Sequence, residues 1–385
     1  MMEITEGSHA VAEAVRLCRP QVVSAYPITP QTHIVEALAD FVANGTLDAE
    51  YITVENELSA LSACVGASAA GSRTYSATTS QGLMLMAEVV FNAAGMRLPI
   101  VMSIANRAMG APLSIWNDMQ DSISLRDAGW LHFYAEDNQE ATDLHFLAYK
   151  VAEDLAVQLP AFVCFDGFIL SHTYEPVDML TQADVDRYLP RYNPPEKLDA
   201  NDPMSFGMYA TPEYYLEFRY EMDQALKQAK GAIAKAGKEF GTLFGRDYSA
   251  LIESYRLEDA ETAIVAMGSV CGTVKDAIDE MRTEGKKVGL LRIRVFRPFP
   301  AEEITKGLSH VKRIAVLDKN VSLGSRGGAT AIEVRDAMYG STIPVKGYVL
   351  GLGGRDIRKK DIKDIVALCE KGAGDQFYGL RRELI

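Results

Sequence analysis

Three side chains in the first third of the chain have the types and settings for chemistry on a small anion. Thr29, in Tyr26-Pro27-Ile28-Thr29-Pro30, offers a hydroxyl; Glu57, in Glu55-Asn56-Glu57-Leu58-Ser59-Ala60, a carboxylate; and Arg107, in Asn106-Arg107-Ala108, a guanidinium. A guanidinium fork can bind two carboxylate oxygens at once. A hydroxyl adds a further donor, and a well-placed carboxylate can hold or take a proton. Each has a plainer explanation. Two prolines stiffen any strand-to-helix turn, acidic residues are favoured at helix starts, and an arginine may simply cap or cover a surface. Glu55 competes with Glu57. We prefer Glu57 because it opens a helical stripe of small residues, Ala60, Ala63, Ala67 and Ala70, with Gly66 and Gly71 beside them. Such a stripe lets another backbone or a planar ligand come close. Thr79-Ser80-Gln81-Gly82 could line a ligand with backbone amides, or cap a helix through Ser80 or Thr79. Trp116-Asn117-Asp118-Met119-Gln120-Asp121 reads as an exposed polar loop near the same edge.

The surrounding pattern supplies elements to position them. Short apolar runs at 22–25, 51–54, 74–77, 100–105 and 161–165 read as strands, and 33–44, 57–70, 83–94 and 139–155 as helices. This alternation predicts a parallel sheet with helices on both faces. Open sheets of this kind bind ligands beyond the carboxyl ends of their strands, where Thr29, Ser80 and Arg107 fall. Residues 171–203 read as an irregular connector, and 212–236 as a solvated linker helix. A second series follows, with strands at 263–267, 288–293, 313–317 and 346–350 and a helix from Gly268-Ser269 to Met281. The expected class is α/β, with two doubly wound domains at 1–235 and 255–385.

Composition narrows the class of function. At 385 residues the chain exceeds a typical single core. Its net charge of −13 argues against nucleic acid, whose phosphates require clustered Lys and Arg. Five scattered cysteines, Cys18, Cys64, Cys164, Cys271 and Cys369, never form a CxxC pair. They fit reduced thiols and supply no iron–sulfur cluster from this chain alone. The six histidines show no metal-ligand spacing, so no metal is expected here. Gly351-Leu352-Gly353-Gly354 lacks the third spaced glycine of a dinucleotide loop and reads as a turn; Gly324-Ser325-Arg326-Gly327-Gly328 is ambiguous. Met1 to Gly7 lacks the basic and apolar regions of a signal peptide. No apolar run approaches the roughly 20 residues of a membrane span, and a cytoplasmic, membrane-free location is expected.

Ala25-Tyr26-Pro27-Ile28-Thr29-Pro30-Gln31-Thr32, Met96-Arg97-Leu98-Pro99, Asn106-Arg107-Ala108 and Cys164-Phe165-Asp166-Gly167-Phe168 together resemble the α subunit of the pyruvate:ferredoxin oxidoreductase family. The resemblance covers nearly the whole chain and is densest before Tyr174. It implies a thiamine-diphosphate pyrimidine-binding domain followed by a transketolase C-terminal-like domain. It also implies CoA-acylating oxidative decarboxylation of a 2-oxoacid, reversible and with pyruvate as the default. By that resemblance Thr29 and Arg107 hold the 2-oxoacid carboxylate and Glu57 bonds the aminopyrimidine. Pro27 lies against the cofactor, with Ser80 nearby. The Gly-Asp-Gly…Asn signature for magnesium and diphosphate is absent from this chain. The resemblance therefore places Mg2+ and the [4Fe-4S] clusters on β, γ and δ partner subunits, with ferredoxin accepting electrons and coenzyme A the acyl group. A branched-chain or aryl 2-oxoacid would keep the mechanism. A self-contained thiamine enzyme and a non-catalytic structural subunit are the rival readings.

Overall fold

The computed structural model describes residues 2–385. Two mixed α/β units share the chain. The larger sheet has seven strands in the order Val295–Arg297, Leu131–Tyr134, Ala161–Asp166, Val101–Asn106, Thr74–Thr78, Val22–Ser24, Glu50–Ile52. All its pairings are parallel except the first, which is antiparallel. The smaller sheet has six strands, with Thr262–Ala266 between Val288–Ile293 and Arg313–Asp318. Its three central strands are buried almost throughout, as Val- and Ile-rich parallel strands covered on both faces must be.

Most expected elements form within a residue or two of their anticipated ends. The exceptions have physical causes. The expected helix at 83–94 is two, Ser80–Leu85 and Ala87–Gly95. The supposed irregular connector contains a strand, Tyr174–Asp178, which pairs antiparallel with Met2–Glu6, and a helix, Gln182–Tyr188, closed at its start by a Thr181–Asp184 capping box.

The linker helix runs longer, over Tyr215–Phe244, and only one side of it is solvated. Ala225, Ala229, Ile233, Ala236 and Phe240 form a buried stripe. Phe240 stacks 6.3 Å from Phe146 and meets Tyr188 edge-on at 5.2 Å. This helix is therefore part of the core of the larger unit.

The sequence after 255 does not stay within the smaller unit, because Val295–Arg297 crosses to become an edge strand of the larger sheet. All five cysteines are free and buried. Among the described residues no helix is long and apolar enough to cross a membrane.

Candidate active site

Parallel strands share one direction, so each delivers its following loop to the same edge. Thr29 follows Val22–Ser24, Glu57 follows Glu50–Ile52, Ser80 follows Thr74–Thr78 and Arg107 follows Val101–Asn106. The sheet thus gathers Thr29, Glu57, Ser80 and Arg107 along one rim.

Glu57 is the first residue of its helix, and the Asn56 side chain accepts the Ser59 amide at 2.9 Å to cap it. The Glu57 side chain is buried, at 8 % exposure. Among the described residues no donor is bonded to its carboxylate. A Cβ on Gly82 would lie 2.7 Å from Glu57 Oε1 and 2.5 Å from Thr78 Oγ1, so only glycine leaves room for the carboxylate there. Thr78 Oγ1 is itself buried without a partner. Glu55 is different: it is exposed, it accepts from Ser59 Oγ at 2.5 Å, and that bond holds its carboxyl below the usual range.

Arg107 is also buried, at 6 % exposure. Its Nη1 donates to the Thr29 carbonyl at 2.8 Å, its Nε to the Ser114 carbonyl at 3.1 Å, and its Nη2 to Gln81 Oε1 at 3.5 Å. All three acceptors are neutral, so no carboxylate compensates the guanidinium directly. Two of its five N–H groups remain free. Thr29 and Pro27 are exposed, and the Thr29 hydroxyl has no partner among the described residues. The first helical residues Ser80-Gln81-Gly82 lie between the two charges, Gln81 meeting Arg107 and Gly82 meeting Glu57.

Ser80 takes a left-handed conformation, φ 49°. Its hydroxyl is buried and donates to the Ala108 carbonyl at 2.5 Å, with a second contact to Gln81. Thr79 Oγ1 donates to the Ala105 carbonyl at 2.6 Å. Neither hydroxyl caps the helix. Sequence reasoning assigned no role to Asp121, which ties this rim together. Its carboxylate accepts from the amides of Ser80 and Arg107, both at 3.0 Å, and from Asn106 Nδ2 at 2.8 Å. Burial pushes the Asp121 carboxyl up to about 6 despite those bonds.

The expected small-residue stripe divides in two. Ala60 faces inward with Leu61, Cys64 and Ser68, toward the adjoining strands. Gly66 and Ala70 face outward, and a Cβ on Gly66 would meet nothing within 4 Å. Asn117 and Asp118 serve the seam between the units. The Gly354 amide donates to the Asn117 carbonyl at 2.7 Å and the Gly353 amide to Asp118 Oδ2 at 3.0 Å. The glycine run is therefore a docking turn. Gly328, in the other glycine run, leaves room for Asp318 to accept the Thr330 and Ala331 amides. Arg97 of Met96-Arg97-Leu98-Pro99 donates to the Val157 and Gln158 carbonyls, a purely structural use.

A largely parallel sheet whose rim carries a buried carboxylate and an arginine, neither bonded to a charged partner, has the form of an α/β ligand-binding site. Residues 13–238 match the family described as pyruvate flavodoxin/ferredoxin oxidoreductase, thiamine diphosphate-binding, and 260–362 match pyruvate:ferredoxin oxidoreductase core domain II. The chain belongs to this family of oxidoreductases and has its thiamine diphosphate-binding domain. The chain is 50 % identical over 393 residues to pyruvate synthase subunit PorA of Methanosarcina barkeri, covering 100 % of this chain and 98 % of that one. It is 53 % identical to the PorA of Methanothermobacter thermautotrophicus, covering 96 % of each chain. Ketoisovalerate oxidoreductase subunit VorA of Pyrococcus horikoshii is 49 % identical, covering 99 % and 98 %. Two solved structures share the fold. One is a 2-oxoglutarate:ferredoxin oxidoreductase from Magnetococcus marinus, solved with 2-oxoglutarate, coenzyme A and succinyl-CoA (TM-score 0.72, 18 % identity, 95 % of this chain and 65 % of that one). The other is an inactive tetramer of a split-gene transketolase (TM-score 0.57, 12 % identity, 96 % and 98 %).

Proposed function

We propose that the chain is the α subunit of a CoA-acylating pyruvate:ferredoxin oxidoreductase, contributing half of a thiamine-diphosphate site completed by a partner subunit. The observation that carries this reading is the Glu57 carboxylate, buried against Gly82 without a donor. A buried carboxylate with no hydrogen bond is costly, so the rim is incomplete as it stands. The aminopyrimidine of thiamine presents a ring nitrogen that a carboxylate can bond, and the glycine leaves space for a flat ring beside it. The residues present therefore fit the group.

Thiamine diphosphate, when bound, supplies the carbon nucleophile and the electron sink for decarboxylation. This chain's residues do the rest on their side of the cleft. Glu57 holds a proton at the aminopyrimidine nitrogen. Arg107, with two free N–H groups, grips the substrate carboxylate, and the exposed Thr29 hydroxyl donates beside it. Pro27 borders the cofactor, while Ser80 acts through the turn it shapes. Burial of Arg107 strengthens its hold on an anion, because little water competes. With the cofactor and partners in place, the reaction these residues would support releases CO2 from the held carboxylate, passes two electrons to ferredoxin and gives the acyl group to coenzyme A. Mg2+, the diphosphate and the [4Fe-4S] clusters belong to β, γ and δ partners in this reading. The two domains proposed are 1–235 and 255–385, with Val295–Arg297 as the strand exchanged between them.

Pyruvate is favoured by the names of the PorA relatives, but a relative named for ketoisovalerate is almost as similar. A side-chain pocket needs only about 1–3 kcal/mol to separate such substrates. The test is CoA-dependent reduction of a viologen dye by the complex purified through this chain, with pyruvate, 2-oxoisovalerate, 2-oxoglutarate and phenylglyoxylate compared. Preference for pyruvate supports the proposal. Preference for a branched or aryl 2-oxoacid keeps the chemistry and changes the substrate. No reduction by an intact complex supplied with thiamine diphosphate and Mg2+ rejects the catalytic role.

A further inference from the structure

The histidines lack local spacing for a metal, yet the fold gathers two of them with a carboxylate from distant parts of the chain. Glu6, His33 and His172 place one ligand atom each within 4.8 Å of one another. Glu6 ends the strand Met2–Glu6, and the register of that strand sets Glu6 opposite Tyr174. The Gly7 amide donates to the Thr173 carbonyl at 3.1 Å, and the Ser8 amide to the Ser171 carbonyl at 2.9 Å. Backbone pairing therefore fixes Glu6 beside His172. His33, in the first turn of the helix Thr32–Ala43, comes from the other side, and its Nδ1 lies 2.6 Å from Glu6 Oε1. The two imidazoles approach to 4.7 Å between centroids.

We propose that Glu6, His33 and His172 form a site for a divalent transition metal of the Zn2+ type. Two imidazoles and one carboxylate are the donor set such ions take, with further positions left for water. His172 is already oriented by an outer partner. Its Nδ1 lies 2.8 Å from Ser171 Oγ, which also accepts the Phe168 amide at 2.8 Å. The tautomer with Nδ1–H toward Ser171 leaves the Nε2 lone pair for the ion, the usual second-shell arrangement at metal-bound histidine. At the other end, coordination of the ion takes the place of the contact between His33 Nδ1 and Glu6 Oε1. Drawing the three atoms in to about 2.0–2.2 Å from one centre needs movement of His33, whose side chain is 41 % exposed and free to make it.

The position gives the site a consequence. His33 lies just beyond Thr29-Pro30, and Gly167, five residues before His172, packs against Pro30, where a Cβ would come within 2.6 Å of its ring. An ion here clamps the loop bearing Thr29 from behind and lies outside the Glu57–Arg107 rim.

Co2+ is the probe, because its visible absorption reports ligand number and type. We expect the purified full-length chain in its complex to bind one Co2+ per copy at this site, displaceable by Zn2+. His33→Gln with His172→Gln should lose that band and weaken Co2+ binding at least about tenfold, as lost ligands or their supports do. Zn2+ should raise the melting temperature of the parent protein and not of the variant. The Glu57→Gln variant should bind Co2+ normally, so failure of the metal site and failure of the thiamine reading are separable. An identical Co2+ spectrum in parent and double variant overturns the proposal. So does a parent protein whose melting temperature Zn2+ leaves unchanged. Should the double variant not fold, Glu6→Gln makes the same comparison.

Discussion

Two carboxylates on separate helices of the larger unit are both buried and live in opposite circumstances. Glu57, on the rim, has no partner. Glu140, near the start of the helix Asn138–Ala152, is surrounded by cations from the other unit: Arg294 Nε donates to it at 2.6 Å, and Arg292 Nη2 bonds its other oxygen. Those arginines reach on to Glu253, which Lys275 shares with Glu136. Asp166 repeats the theme nearby, accepting from Lys319 Nζ at 2.9 Å, Asn117 Nδ2 at 3.0 Å and the Ser269 amide at 3.2 Å. Charge on the seam between the units is paired ion to ion; on the rim, Glu57 and Arg107 have no charged partner bonded to them. A protein that pairs its buried charges so fully at one place and leaves them single at another has a reason at the second place, and a ligand is the simplest one.

The strongest test of that contrast is Glu57→Gln. Turnover of the complex in the viologen assay should fall about 10²–10⁴-fold, the worth of a positioned acid–base group. The melting temperature should hold, since no internal bond is lost. Undiminished turnover would remove Glu57 from the chemistry. Glu140→Gln should behave in reverse. Leaving Arg292 and Arg294 around a neutral amide should cost about 3–5 kcal/mol of stability, as breaking a buried ion pair does, measured by urea unfolding. A loss below about 1 kcal/mol would mean that the seam draws its stability from packing instead.

Arg107→Lys sharpens the rim further. Lysine keeps the charge and loses the fork. We expect KM for the 2-oxoacid to rise about tenfold, equivalent to roughly 1.4 kcal/mol, with little change in stability. An unchanged KM would move the carboxylate clamp to Thr29 or to the partner.

How much of this was legible beforehand follows from how local each signal is. The strands 22–24, 74–78, 101–106 and 161–166 announce themselves as short apolar runs. Thr29, Glu57 and Arg107 share a rim because parallel strands force it. Leu131–Tyr134 was missed because His132 interrupts the run; that imidazole is fully buried, and neither of its nitrogens has a partner. Val295–Arg297 was missed because it follows Val288–Ile293 almost directly and reads as its tail. Arg294, held by Glu140 and Glu253, lies where the chain leaves one sheet for the other. The helix Tyr215–Phe244 was misjudged for composition, since alanines at 225, 229 and 236 carry little hydrophobic signal among so many Glu and Lys. Asp121 and the Glu6, His33, His172 cluster depend wholly on long-range approach, which no local spacing reveals.

The smallest expected effect concerns pH, and it separates rim from seam by sign. The arginines hold the Glu140 carboxyl, despite its burial, down to about 2, against a usual value of 4.5. The unfolded chain therefore binds a proton there more readily than the folded one, so this contribution is complete above about pH 4.5 and is lost as pH falls toward 2. Asp121 runs the other way. Burial lifts its carboxyl to about 6 from 3.8. The folded state then holds the extra proton between those values, and stability falls as pH rises through that window. Asp143 is lifted to about 6 in the same way, so urea unfolding across pH 4 to 7 should show a downward contribution that is smaller in Asp121→Asn than in the parent. A parent curve that rises monotonically, and that Asp121→Asn does not alter, would mean that Asp121 ionises as freely as a surface carboxylate. The rim would then lack the low-dielectric character on which the grip of Arg107 depends.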